Sequence, residues 1–164
     1  MTIKHSDKFV ICLAPHTSNF DFVLGQLYAK AEGMKISFLM KKEWFVGPLG
    51  LLLKRIGGIP VSRDRHANMT DVLARKAVRE NEFRLCITPE GTRSLNPEWR
   101  KGFYYIASKA NIPILLYGLD YDRKLIQCTK SIVPGGNPDK DMDEIKNYFK
   151  GFTGRHPELF TTGY

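Results

Sequence analysis

The chain has 164 residues, 43% of them hydrophobic, and its 25 lysines and arginines against 17 acidic residues give a formal charge of +8. That length is enough for one domain with a sizeable core, and without low-complexity tracts, internal repeats or a linker the sequence excludes a disordered chain or a repeat array. The positive excess predicts an acidic partner, for which anionic lipid, coenzyme phosphates, an acidic carrier protein and nucleic acid all qualify.

The first apolar run, Phe9 to Leu13, reads as a strand, and Ala14 to Ser18 as a turn with Asn19 placed to cap a helix. No signal peptide is expected, because Phe9 to Ala14 is too short an apolar core and no cleavage site follows. The turn carries His16, with Asp21 five residues on. Five residues rotate a helix by ~500°, leaving side chains ~140° apart, and in a strand they face opposite sides, so neither regular element joins this pair. A strand, turn and helix does. Asp21 then sits in the first helical turn, where the dipole favours a carboxylate, and His16 folds back over it. Such an aspartate holds the ring in one tautomer and leaves its other nitrogen to take a proton from a hydroxyl. The competing reading of an isolated His-x4-Asp is a capped turn with a surface histidine.

A second strand is expected at Lys35–Met40, followed by the apolar run Trp44 to Leu53 between Lys41, Lys42, Lys54 and Arg55. Ten residues cannot span a bilayer, which takes ~20. The run is either a buried core helix or a segment that dips into an interface or lines an acyl-chain groove, its lysines toward anionic headgroups. In Gly57-Gly58-Ile59-Pro60-Val61-Ser62-Arg63 a short strand at Ile59–Val61 delivers an arginine. Between Asn68 and Asn81, Met69, Val72, Leu73, Ala77 and Val78 recur at helical intervals, which predicts an amphipathic helix packed on the core.

The strand Phe83–Ile87 leads directly into Thr88-Pro89-Glu90-Gly91-Thr92-Arg93-Ser94. Glycine lets backbone approach a ligand, hydroxyls and N–H groups donate to oxygens, and guanidinium binds phosphate as a planar fork, so this is a candidate phosphate cradle. An ordinary strand-to-loop turn with a solvated arginine is the alternative. Further strands are expected at Pro113–Leu119 and Lys124–Cys128, and a last helix from about Asp141 to Lys150; the tail after Gly151 is unassigned. The alternation predicts a single α/β domain over residues 1–164, with a mostly parallel central sheet flanked by helices. Of the three cysteines, Cys12 and Cys86 fall in apolar runs and Cys128 in none of the metal-ligand spacings, so buried hydrophobes are expected rather than nucleophiles. Without a secretion signal they suggest a reducing compartment.

Taken in order, His16 with Asp21, Gly57 or Gly58 through Arg63, Pro89 through Ser94, and Ile112-Pro113-Ile114-Leu115 resemble the sequence blocks of the glycerolipid acyltransferase family, which includes the 1-acyl-glycerol-3-phosphate acyltransferases. The resemblance covers roughly residues 10 to 120, and its third block is the specific one. It implies a glycerolphosphate acyltransferase-like fold with His16 as general base and Asp21 as its orienting partner. Arg63, Glu90, Gly91, Thr92 and Arg93 would hold the acceptor's phosphate and glycerol, with Lys101 as a secondary basic contact. The chain departs from the family pattern at Pro15, where an asparagine is common, at Thr88, where an aromatic is common, and in having only Pro113 in the fourth block.

The implied reaction moves a fatty acyl group from an acyl-CoA or acyl carrier protein thioester to a lysophospholipid hydroxyl, most simply that of 1-acyl-glycerol-3-phosphate, in phospholipid biosynthesis. Neither a bound cofactor nor a metal is expected, and the enzyme would visit an anionic membrane surface peripherally from the cytoplasm. A reading from another class is a non-catalytic basic protein that binds anionic lipid or other phosphate-bearing ligands with the same arginines. His16 with Asp21 separates the two, since a phosphate binder needs no neutral base beside an orienting carboxylate. A phosphate-ester hydrolase using the pair as metal ligands has too sparse a ligand set, and nucleic acid is not expected, because no zinc-finger spacing or aromatic RNA-binding signature is present.

Overall fold

The run Lys8–Ala14 forms β1, and every residue from Phe9 to Ala14 is buried because the strand lies inside a sheet covered on both faces. The computed structural model describes residues 7–62 and 66–163, apart from the side chains of 66–68. Among these, the other strands are β2 (Ser37–Lys41), β3 (Gly58–Val61), β4 (Phe83–Ile87), β5 (Ile114–Asp120) and β6 (Leu125–Ile132). They form one sheet in the order β3-β2-β4-β1-β5-β6, parallel throughout except for β6, which turns back antiparallel along β5. The α/β expectation of a mostly parallel sheet holds, with the strands within a few residues of where the apolar runs put them.

The period of two along β1 and β5 sorts side chains between two cores. Val10, Cys12, Ala14, Ile114 and Leu116 face a large cluster, and Phe9, Ile11, Leu13, Leu115, Tyr117 and Leu119 a smaller one. The large cluster is closed by Leu73 and Ala77 of α3 (His66–Arg79), Phe103, Tyr104 and Ile106 of α4 (Gly102–Ala110), and Ile145 and Phe149 of α5 (Pro138–Phe149). The smaller one is covered by Leu24 and Tyr28 of α1 (Asn19–Ala31). Both β1-α1-β2 and β2-α2-β3 step toward the same sheet edge, so right-handed crossovers put α2 (Gly47–Arg55) on the α1 face.

The Trp44–Leu53 run becomes a 3-10 turn at Lys42–Trp44 followed by α2. Only Gly50 and Leu53 of α2 are buried, while Trp44, Val46, Leu49, Leu51, Leu52 and Ile56 stand exposed, which rules out the buried core helix. No helix among the described residues is long and apolar enough to cross a membrane.

The topology also sets where a site can form. From β1 the chain leaves through α1 toward β2, and from the adjacent β4 it leaves through α4 toward β5, on the opposite face. Where neighbouring parallel strands send their connections apart, the carboxyl ends of the strands open a crevice. His16 follows β1 and Glu90 follows β4, so both lie at that point.

Candidate active site

At the end of β1 a cis Ala14–Pro15 bond precedes His16. The N-cap of α1 is Ser18, one residue earlier than expected. The reason is a capping box: the Ser18 hydroxyl accepts the Phe20 N–H at 3.1 Å, and Asp21, at the third helical position, accepts the Ser18 N–H at 2.8 Å. The same Asp21 oxygen, Oδ2, accepts the Thr17 N–H at 2.8 Å and stands 3.2 Å from His16 Nδ1. That last contact is in ion-pair range without hydrogen-bond alignment, so Nδ1 is buried with the carboxylate as its polar neighbour. Asp21 therefore both caps its helix and faces the imidazole. The histidine is no surface residue: its side chain is 19% exposed.

The other oxygen of Asp21, Oδ1, accepts the phenol of Tyr121 at 2.5 Å. Asp21 is fully buried, which works against its charge, yet His16, Tyr121 and the Ser18 N–H outweigh that and hold the carboxyl below its ordinary value. A carboxyl held toward its ionised form can orient a ring and stabilise an imidazolium, an arrangement that leaves the ring's other nitrogen, Nε2, for proton exchange.

Glu90 is also buried, and its Oε1 accepts the His16 backbone N–H at 2.7 Å, tying the histidine to the end of β4. Burial pushes its carboxyl up to about 8; the His16 N–H opposes the shift and the nearby Asp21 charge adds to it. The loop after Glu90 is braced from within, since Asn96 donates to the Glu90 and Glu98 carbonyls at 2.8 and 3.0 Å and the Arg100 N–H reaches Pro89 O at 2.7 Å. Gly91 has φ +65° and lies under the Arg100 side chain, where a Cβ would come within 2.6 Å of Nε, so only glycine fits. Thr92 is half-buried, its Oγ1 accepting the Ser94 N–H at 3.2 Å, and Arg93 is exposed.

The structure thus brings His16, Asp21 and Glu90 together and places Gly91, Thr92 and Arg93 on the loop that Glu90 opens. Lys101, at the start of α4, pairs with Asp139 of α5 at 2.6 Å. Arg63 lies outside the described residues. Cys12 is buried and its thiol held well up by burial, and burial likewise pushes half-buried Cys86 up to about 12, which leaves neither thiol available as a nucleophile. Among the described residues no group of three or more His, Cys, Asp or Glu is arranged to hold a metal ion.

Two parts of the site were not foreseen. Tyr121 directly follows β5, so the same carboxyl-edge logic that locates His16 and Glu90 points to it once β5 is known to lie beside β1. The tail after Gly151 packs against the histidine turn: the His156 N–H reaches Thr17 Oγ1 at 3.1 Å, and a Cβ on Gly154 would come within 3.1 Å of Thr17 and Pro15. Trp99 anchors the loop to the same tail through Nε1 to Thr161 O at 3.0 Å. No local pattern in the tail announces this role.

The family model described as Acyltransferase matches residues 2–116, from β1 into β5, including the histidine turn and the loop after β4. The chain belongs to the acyltransferase family, which covers the glycerolipid acyltransferases, and is a transferase of acyl groups. No curated protein and no solved structure matches the chain.

Proposed function

We propose that the chain acylates a lysophospholipid, with 1-acyl-glycerol-3-phosphate as acceptor and acyl-CoA or acyl carrier protein as thioester donor, in phospholipid biosynthesis. The observation that carries this reading is a half-buried imidazole backed by a carboxylate held toward its ionised form at the carboxyl ends of β1 and β4. His16 Nε2 takes the acceptor's hydroxyl proton as its oxygen attacks the thioester carbonyl. The carbon–sulfur bond then breaks, and the departing thiolate recovers the proton from the imidazolium. Asp21 holds the ring and offsets its positive charge during the step. Arg93, exposed on the braced loop, is suited to the acceptor's phosphate, and Thr92 and the Gly91 backbone to its oxygens. Glu90 serves this site from behind, through the His16 backbone.

The α2 face supports peripheral attachment to an anionic membrane. Its exposed apolar side chains lie among exposed Lys41, Lys42, Lys54 and Arg55, which pairs burial in the acyl boundary with attraction to headgroups. Phe20, Val23 and Leu27 extend the apolar exposure along α1, the helix that begins at the histidine turn. A membrane-bound acceptor would so meet the crevice without leaving the lipid. The approach is from the cytoplasmic side.

The test is thiol release from acyl-CoA and, in parallel, from acyl carrier protein, with and without lysophosphatidic acid, the diacyl product being identified by mass. Acceptor-dependent release is expected from the native chain and should be lost in His16→Ala with the fold retained. Near-native release from that variant refutes the assigned base. Silence with both donors from folded protein that still binds anionic vesicles favours the non-catalytic binding protein.

A further inference from the structure

We propose that Tyr121 is a positioning residue for the catalytic pair, its phenol holding Asp21 so that the other carboxylate oxygen faces His16. The proposal rests on the acyltransferase reading given above. Asp21 has two oxygens and distinct tasks for each: Oδ2 takes two backbone N–H groups and faces Nδ1, while Oδ1 takes the Tyr121 hydroxyl at 2.5 Å. Without the phenol, Oδ1 would be a buried carboxylate oxygen lacking that donor, and one of the bonds that fix the plane of the carboxyl against the ring would be gone.

The tyrosine is itself held rigidly, from a part of the chain outside the family match. Its N–H reaches Thr153 O at 2.9 Å, and the adjacent Asp120 binds Arg123 through Nε at 2.8 Å. Arg123 in turn donates to Gly151 O at 2.6 Å and lies 5.3 Å over the Phe152 ring. Phe152 packs so closely on Gly118 of β5 that any Cβ there would overlap it, and His156 closes the circuit on Thr17. The β5–β6 turn and the C-terminal segment therefore act as one brace behind the histidine turn. A phenol serving only as packing needs no such registry of its hydroxyl; one that orients a carboxylate does.

Tyr121→Phe keeps the ring and the backbone bond to Thr153 and removes only the donor. It should lower kcat ~10-fold or more with KM for donor and acceptor unchanged, because orientation of the pair matters in the transition state rather than in substrate binding. A second readout needs no turnover: the Asp21 side-chain carboxyl, followed by NMR, should titrate higher in Tyr121→Phe, while His16, Glu90 and Arg155, the other ionisable groups facing the pair, stay in place. Replacing all tyrosines by 3-fluorotyrosine, a stronger donor of the same shape, should move Asp21 the opposite way. Native kcat in Tyr121→Phe with loss only in Tyr121→Leu would reduce the residue to packing and overturn the proposal. So would an Asp21 titration that neither change moves, or a loss confined to KM. If the native chain transfers no acyl group the functional reading fails, and the Asp21 titrations alone decide whether the phenol sets the carboxylate.

Discussion

Replacement of Glu90 by glutamine should make the chain progressively more stable, relative to the native sequence, as pH rises. The carboxyl is 2% exposed, and burial pushes it up to about 8 from 4.5, despite the His16 N–H it accepts. Between those values the folded chain keeps a proton that the unfolded chain has released, so unfolding liberates it and stability falls with rising pH across that window. At ~1.4 kcal/mol for each pH unit, the cost summed from 4.5 to 8 is about 5 kcal/mol. Glutamine keeps an oxygen for the His16 N–H and titrates nowhere in the range. Urea unfolding of both chains from about pH 5 to about pH 8 reads the effect as a difference, in which groups common to both chains and distant from Glu90 cancel. A stability difference that does not change with pH would refute the buried, protonated carboxyl. The protonation also bears on the site, since a neutral Glu90 leaves Asp21 as the one charged carboxylate beside His16.

Gly118→Ala should destabilise the fold, because the new Cβ would lie 1.8 Å from a Phe152 ring carbon; overpacking of this kind costs ~1–3 kcal/mol and lowers Tm by ~2–4 °C per kcal/mol in a chain of this size. Limited proteolysis should then cut the C-terminal segment first, and an unchanged melting curve would contradict the packing. Arg93→Ala should raise KM for a phosphate-bearing acceptor and leave kcat nearly native, whereas a loss confined to kcat would exclude a ground-state phosphate contact. Leu51→Asp combined with Leu52→Asp should weaken binding to anionic vesicles ~10-fold or more without unfolding the chain, both side chains being exposed; undiminished binding removes the α2 face as the docking surface.

The sheet was most readable where its strands are interior. β1 and β5 are nearly continuous runs of buried residues that burial on both faces explains, β4 is a shorter apolar stretch interrupted by Arg84, and the helical period of 69–78 marks α3 without ambiguity. The less legible elements owe their form to distant partners. α2 has the composition of a core helix, yet most of its apolar side chains are exposed, since hydrophobicity records a preference for leaving water and not what is available to cover it. The cap of α1 moved from Asn19 to Ser18 because Asp21 returns to the Ser18 N–H, and either residue type caps well enough for composition to leave the choice open.

The site divides along the same line. His16 and Asp21 meet through a turn of their own making, so a spacing of five could announce them. Glu90 reads as a ligand-facing member of a polar loop, and only the β1–β4 pairing turns its carboxylate inward to the His16 N–H. Tyr121 is farther still from local legibility, lying 100 residues from Asp21 and meeting it because β5 runs parallel beside β1 and ends at the same edge. The cap of α1 and the contact of Asp21 with His16 are one arrangement. Thr17 and Ser18 N–H groups that a helix start must satisfy are satisfied by the carboxylate that faces the ring, so the pair is oriented by the same bonds that begin α1. A substitution at Asp21 consequently removes cap and partner at once, which is why Tyr121, touching the carboxylate from the side the cap does not use, is the position where orientation can be separated from folding.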